Sequence, residues 1–107
     1  ALVFAFTHPA RRSLVAGNIR EISIQGASFK HAPGSVVSDL EAGCRVPVCS
    51  LKLSDGIVDL SARVTRNRAE MGFQFLEFET DGRSRLLAWI EARGKRALKN
   101  AAAAQPS

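Results

Sequence analysis

Gly17-Asn18-Ile19-Arg20-Glu21-Ile22-Ser23-Ile24-Gln25-Gly26-Ala27-Ser28-Phe29 is an alternating segment that runs into a Ser-x-x-Gly corner. Side chains of a strand alternate between faces, so Ile22 and Ile24 share one face and Glu21 and Ser23 the other. Gly26 ends the run where a side chain is a liability: a turn with positive φ, or a point where backbone meets a ligand. Gly17 and Asn18 predict a bulge or bend inside the strand.

The flanking sequence has the same period. Leu2 to Phe6 reads as a short first strand, His8-Pro9-Ala10-Arg11-Arg12 as a loop, Ser13 to Ser23 as the second strand, and Ala27 to Lys30 as a short third. After a loop at Pro33-Gly34-Ser35, Val46 and Val48 alternate on even positions, whereas Leu51 and Leu53 alternate on odd ones. That phase slip predicts a bulge near Cys49 and Ser50. Asp55-Gly56 is the strongest hairpin signal, and the arm after it places Val58, Leu60, Ala62 and Val64 on one face. Met71, Phe73 and Phe75 form the core face of a last strand. Six strands with regular turns predict a mainly β fold, a small antiparallel β-barrel.

From Thr80 or Asp81, either of which can cap a helix, the period changes to about 3.6. Leu86, Leu87 and Ile90 make an apolar stripe with Trp89 beside it and Leu98 further along. Arg83, Arg85, Glu91, Arg93, Lys95, Arg96 and Lys99 make the other face polar and mostly basic. Gly94 is expected to bend or end the helix, since glycine costs about 1 kcal/mol in a helix interior. The organisation is therefore one domain over residues 1–100, with a barrel at about 2–78 and a helix at about 81–100. An Ala-rich tail at 101–107 is expected to be disordered.

A chain of 107 residues supports one core. Its hydrophobic fraction of 46% and charged fraction of 23% are those of an ordinary globular protein. No apolar run approaches the roughly 18 residues that span a bilayer, so membrane insertion is not expected. The opening ALVFAF lacks a preceding basic segment and reads as a strand, not a signal peptide. The chain starts at Ala1 without an initiator Met, consistent with a cut point inside a longer protein. The net charge of +5 favours anionic partners as a long-range bias, not as a site.

Cys44 and Cys49 lie five apart in a strand-like segment, about 16 Å at full extension and on opposite faces. A disulfide needs Cα atoms within about 7 Å, so reduced thiols and a cytoplasmic setting are expected. Only His8 and His31 could join them around a metal, each isolated in a loop, so no metal and no cofactor is expected. Neither histidine sits in a recognisable nucleophile motif, and no phosphate loop or paired-carboxylate pattern occurs; the expectation is not an enzyme.

Six strands followed by a helix, with Glu21-Ile22-Ser23-Ile24-Gln25-Gly26 at the second corner, resembles the PilZ domain family of bacterial cyclic di-GMP receptors. The corner matches the family's Asp/Asn-x-Ser-x-x-Gly signature at two of three positions, with Glu21 in place of Asp or Asn. Gly72-Phe73-Gln74-Phe75-Leu76 resembles the strand that closes the PilZ barrel, Arg63-Val64-Thr65-Arg66 the strand before it, and Leu40-x-x-Gly43 the family's middle. The resemblance implies a PilZ-type, split-barrel-like fold, cyclic di-GMP as ligand, and Glu21, Ser23 and Gly26 as residues that bind it. It also implies a role in bacterial signalling through contacts with a protein partner or a neighbouring domain.

PilZ domains use a second element, an Arg-x-x-x-Arg segment just before the first strand, and none occurs in the 107 residues. If the first two strands pair antiparallel, Arg11 and Arg12 lie about 30 Å from Glu21. The segment beside the corner is then the one before Ala1. Arg20, adjacent to Glu21, is expected on the opposite face. Three functional classes follow: a cyclic di-GMP sensor, a degenerate PilZ domain that works through protein contacts, and an OB-like nucleic-acid binder. Phe73 and Phe75 would have to be exposed for the last, and no aromatic-rich basic strand supports it. The sensor is the preferred reading, with the degenerate domain as its alternative.

Overall fold

A computed structural model describes residues 2–104. In chain order it contains β1 (Val3–Thr7), β2 (Leu14–Ile22), β3 (Gly26–His31), β4 (Arg45–Leu53), β5 (Gly56–Asn67), β6 (Met71–Phe78) and α1 (Gly82–Ala104). The strands close into a barrel in the order β1-β2-β3-β6-β5-β4, with every pairing antiparallel. The fold is thus the mainly β, six-stranded barrel with a C-terminal helix that the period of the sequence predicts.

Strand alternation fills the interior. Val58, Leu60, Ala62 and Val64 of β5 and Met71, Phe73 and Phe75 of β6 are all buried, as the sequence pattern requires. Phe4, Phe6, Phe29 and Phe73 pack together, every pair of rings having its centroids 5.4–6.3 Å apart. Such tilted and edge-on pairs contribute about 0.5–1.5 kcal/mol each beyond the area they bury. These aromatic faces are turned inward and offer no stacking platform to a nucleic acid.

One bulge lies beside the expected place and the other falls elsewhere. In β4 the register shifts between Val46 and Cys49. Pro47 has no N–H to give the ladder, so the slip is absorbed at Pro47 and Val48. Val48 is therefore 57% exposed and Cys49 points inward. In β2 the shift lies between Ile19 and Glu21, leaving Arg20 as the extra residue, not Gly17 or Asn18. Gly17 has another reason to be glycine. A Cβ there would run into the Lys30 carbonyl and come within 2.7 Å of His31 Cα and 2.8 Å of the Phe29 ring.

The β4–β5 hairpin forms one residue earlier than Asp55-Gly56. Leu53 pairs with Gly56, so Ser54 and Asp55 make the two-residue turn and Gly56, at φ 146°, opens β5. Asp81 is the helix cap, because its carbonyl accepts the Arg85 N–H at 3.0 Å. Leu86 is fully buried, Trp89 and Ile90 pack partly against the core, and Leu87 sits at the edge, 37% exposed. Arg85 is not part of a solvated basic face: its guanidinium donates to the Ile57 carbonyl at 3.0 Å and pairs with Asp55 at 3.5 Å. The helix passes through Gly94 without ending and runs four residues into the stretch expected to be disordered. Residues 105–107 lie outside the described residues, as do the side chains of Lys95, Arg96, Leu98 and Lys99.

Both cysteines are free thiols, Cys44 half-buried and Cys49 buried. Burial in the barrel pushes the Cys49 thiol up to about 12, well above reach of ordinary thiolate chemistry.

Candidate functional site

Glu21, Ser23 and Gly26 line one trough of about 340 Å³ on the outside of the barrel. Its construction follows from strand register. Glu21 pairs with Ser28, Ser28 with Gly72, and Gly72 with Arg66, which makes one row across β2, β3, β6 and β5. A second row begins at the corner, where Ser23 N–H donates to the Gly26 carbonyl at 2.9 Å. It continues through Gly26, Gln74, Arg63 and Arg45. The residues adjacent to these rows along the strands, Phe29, Phe73, Val64, Ala62 and Val46, are buried inside, so both rows face outward.

Bulges decide what the first row contains. Without the extra residue Arg20, Glu21 would face the barrel interior; with it, Glu21 faces out opposite Ser28. A second shift, between Val64 and Arg66, leaves Thr65 unpaired and turns Arg66 outward opposite Gly72. A carboxylate and a guanidinium thus face each other over a floor of Ser28 and Gly72. Three strand intervals separate their backbones, about 14 Å. Gly72 keeps the floor low, since a Cβ there would come within 2.5 Å of Thr65 Oγ1 and 3.0 Å of Arg66 Cγ.

The corner residues differ in what they leave free. Ser23 Oγ accepts the Gln25 N–H at 3.2 Å and lies 3.5 Å from the Gly26 carbonyl, so the hydroxyl is engaged in holding the turn. Gly26 does not have a positive φ; among the described residues the glycines that do are Gly34, Gly43 and Gly56. Nor does it need a ligand to explain it: a Cβ would collide with the Phe73 carbonyl of β6. Backbone meets backbone here. Glu21 is held through its N–H, which donates to Ser28 Oγ at 3.1 Å, while its carboxylate is exposed and has no ion-pair partner among the described residues.

Arg20 is exposed on the same outer surface and not turned inward; it pairs with Glu70 at 3.3 Å. Arg11 and Arg12 do lie at the far end, in the β1–β2 loop. Arg11 is bound to Asp39 at 3.0 Å, and Asp39 also takes a 2.9 Å hydrogen bond from the buried His8 ring. The chain enters β1 at the other end, where the Leu2 carbonyl accepts the Ile19 N–H at 2.9 Å.

The sequence motif locates Glu21, Ser23 and Gly26 but misses Arg66, Thr65, Ser28 and Gly72. One signal for the first bulge is present in the sequence: Ile19 and Ile22 both pack toward the core at an odd separation. Beyond Thr65 the surface continues into a larger depression of about 640 Å³, bordered by Gln25, Gln74, Phe78 and Arg83. Among the described residues no group of three or more His, Cys, Asp or Glu could hold a metal ion. None of their helices is long and apolar enough to cross a membrane.

Fold and trough together define a small closed β-barrel domain with a two-charge trough on its outer face. The chain belongs to the TP_0454_C family, described as a C-terminal domain, whose model matches residues 1–89. That span takes in the whole barrel and the start of α1. No curated protein and no solved structure matches the chain.

Proposed function

We propose that this domain is a PilZ-type regulatory module that binds cyclic di-GMP in the trough between Glu21 and Arg66. The observation that carries the reading is the pairing of an unpartnered carboxylate and guanidinium across a floor of small residues, at the corner that resembles the PilZ signature. Guanine offers N–H donors that suit Glu21 and the O6 and N7 acceptors that suit an arginine fork. A volume of about 340 Å³ is at the low end for ligand sites. It fits a base with part of its sugar-phosphate, and the rest of a dinucleotide would lie on the open face toward Gln74 and Arg63. Occupancy then alters the surface offered to a protein partner or a neighbouring domain, in a bacterial cytoplasm. The role is binding and not catalysis: both nitrogens of the buried His8 ring are engaged by Asp39 and by the amides of Ala10 and Arg11.

A specific observation favours a second reading, a degenerate PilZ domain that acts through protein contacts without nucleotide. Ser23 and Gly26 are fully accounted for by the fold, and residues 1–107 contain no Arg-x-x-x-Arg segment. Calorimetric titration of cyclic di-GMP separates the two. Under the sensor reading the chain gives saturable heat, and Glu21→Ala weakens binding by about 5- to 150-fold, the value of one specific polar contact to a base. A folded chain that gives no heat at high micromolar ligand favours the second reading.

A further inference from the structure

The outer row that starts at Ser23 and Gly26 ends on two arginines. Gln74 pairs with Arg63, and Arg63 pairs with Arg45 on the neighbouring strand. Both side chains are exposed, and like charges directly opposite one another in an antiparallel ladder repel. Elsewhere Arg11 pairs with Asp39 at 3.0 Å, Arg20 with Glu70 at 3.3 Å and Arg85 with Asp55 at 3.5 Å, whereas Arg12, Arg68 and Arg83 have no ion pair among the described residues. Among the described residues Arg45, Arg63 and Arg66 have no carboxylate partner. Glu41 shares a depression with Arg66 but makes no ion pair with it.

We propose that Arg45, Arg63 and Arg66 form a phosphate-binding strip on β4 and β5 that holds the phosphodiester of a ligand whose base lies in the trough. The identity of that ligand rests on the nucleotide reading above; the affinity for phosphate rests on the arginines alone. Guanidinium forks bind phosphate oxygens bidentately, and an anion laid between Arg45 and Arg63 relieves their repulsion. Arg63 and Arg66 flank the Thr65 bulge, so the strip continues directly from the wall of the trough. Cations built into the strands thereby stand in for an arginine segment that residues 1–107 do not contain.

The test titrates two probes, cyclic di-GMP and inorganic pyrophosphate, into the chain and into Arg45→Ala, Arg63→Ala and Arg63→Lys. Removing either opposed arginine relieves repulsion, so Tm stays level or rises and lost binding is not lost folding. If cyclic di-GMP binds, each alanine variant is expected to weaken it about 10- to 150-fold, with Arg63→Lys between parent and Arg63→Ala. Cyclic di-GMP binding that Arg45→Ala and Arg63→Ala leave unchanged overturns the strip and leaves the trough reading standing. Pyrophosphate binding that is lost in Arg63→Ala, with no response to cyclic di-GMP, supports the strip and sinks the sensor reading. No response to either probe overturns both.

Discussion

Gly26→Ala separates a glycine needed by the fold from one kept for a ligand. The added Cβ would lie inside the contact distance of the Phe73 carbonyl oxygen, with Phe73 C at 3.2 Å and Gln74 Cα at 3.3 Å. All three are backbone atoms of β6, so no side chain can swing away to make room. Relief requires β3 to move off β6, which strains the neighbouring bonds from Phe75 N–H to the Gln25 carbonyl (2.8 Å) and from Ser23 N–H to the Gly26 carbonyl (2.9 Å). Overpacking costs about 1–3 kcal/mol, and losing one such hydrogen bond adds about 1 kcal/mol. A total of about 2–4 kcal/mol lowers Tm by about 10–30 °C in a domain of this size. The assay is a thermal melt followed by circular dichroism, without ligand. Gly34→Ala is the comparison: its φ is +87° and nothing lies within 4 Å of an added Cβ, so it bears backbone strain alone, about 1–2 kcal/mol. A Gly26→Ala protein melting within about 2 °C of the parent refutes the packing account. The glycine would then have to serve a ligand.

Two other perturbations probe the barrel and its loops. Cys49 has its thiol raised to about 12 by burial, from an ordinary 9.0. The unfolded chain loses this proton first, so stability is intact below pH 9 and falls by up to about 1.4 kcal/mol per pH unit above it; Cys49→Ala should flatten that alkaline limb in urea melts. The clasp at His8 is expected to matter more than its loop position suggests, because the buried ring accepts two backbone N–H groups at 3.1 Å and donates to Asp39 at 2.9 Å. His8→Ala should cost about 2–4 kcal/mol by denaturant titration. The hydrogen bond from His8, and then the Arg11 guanidinium, hold the Asp39 carboxyl below its ordinary 3.8. Its contribution is present above that pH and lost as pH falls through the lowered value, so Asp39→Asn should flatten the acid limb of the stability curve.

The fold was legible because its signals are local. Alternation at Val58 to Val64 and at Met71 to Phe75, the Ser54-Asp55-Gly56 hairpin and the change of period after Thr80 each depend on neighbours in the chain. Residues that bury the same face at a fixed period must form the element with that period. The corner at Glu21, Ser23 and Gly26 was legible as a motif for the same reason, although the motif could not say that Gly26 is packed on β6.

What only the tertiary structure decided is which residues stand opposite that corner. Glu21, Ser28, Gly72 and Arg66 share a row only through three strand pairings and two bulges. The arginines at the end of the second row come from β4 and β5, far from the corner in the chain. Because side chains alternate with a period of two, one extra residue at Arg20 or at Thr65 reverses the face of everything after it. Composition and motif therefore placed a carboxylate at the corner. Register alone supplied the guanidinium across from it.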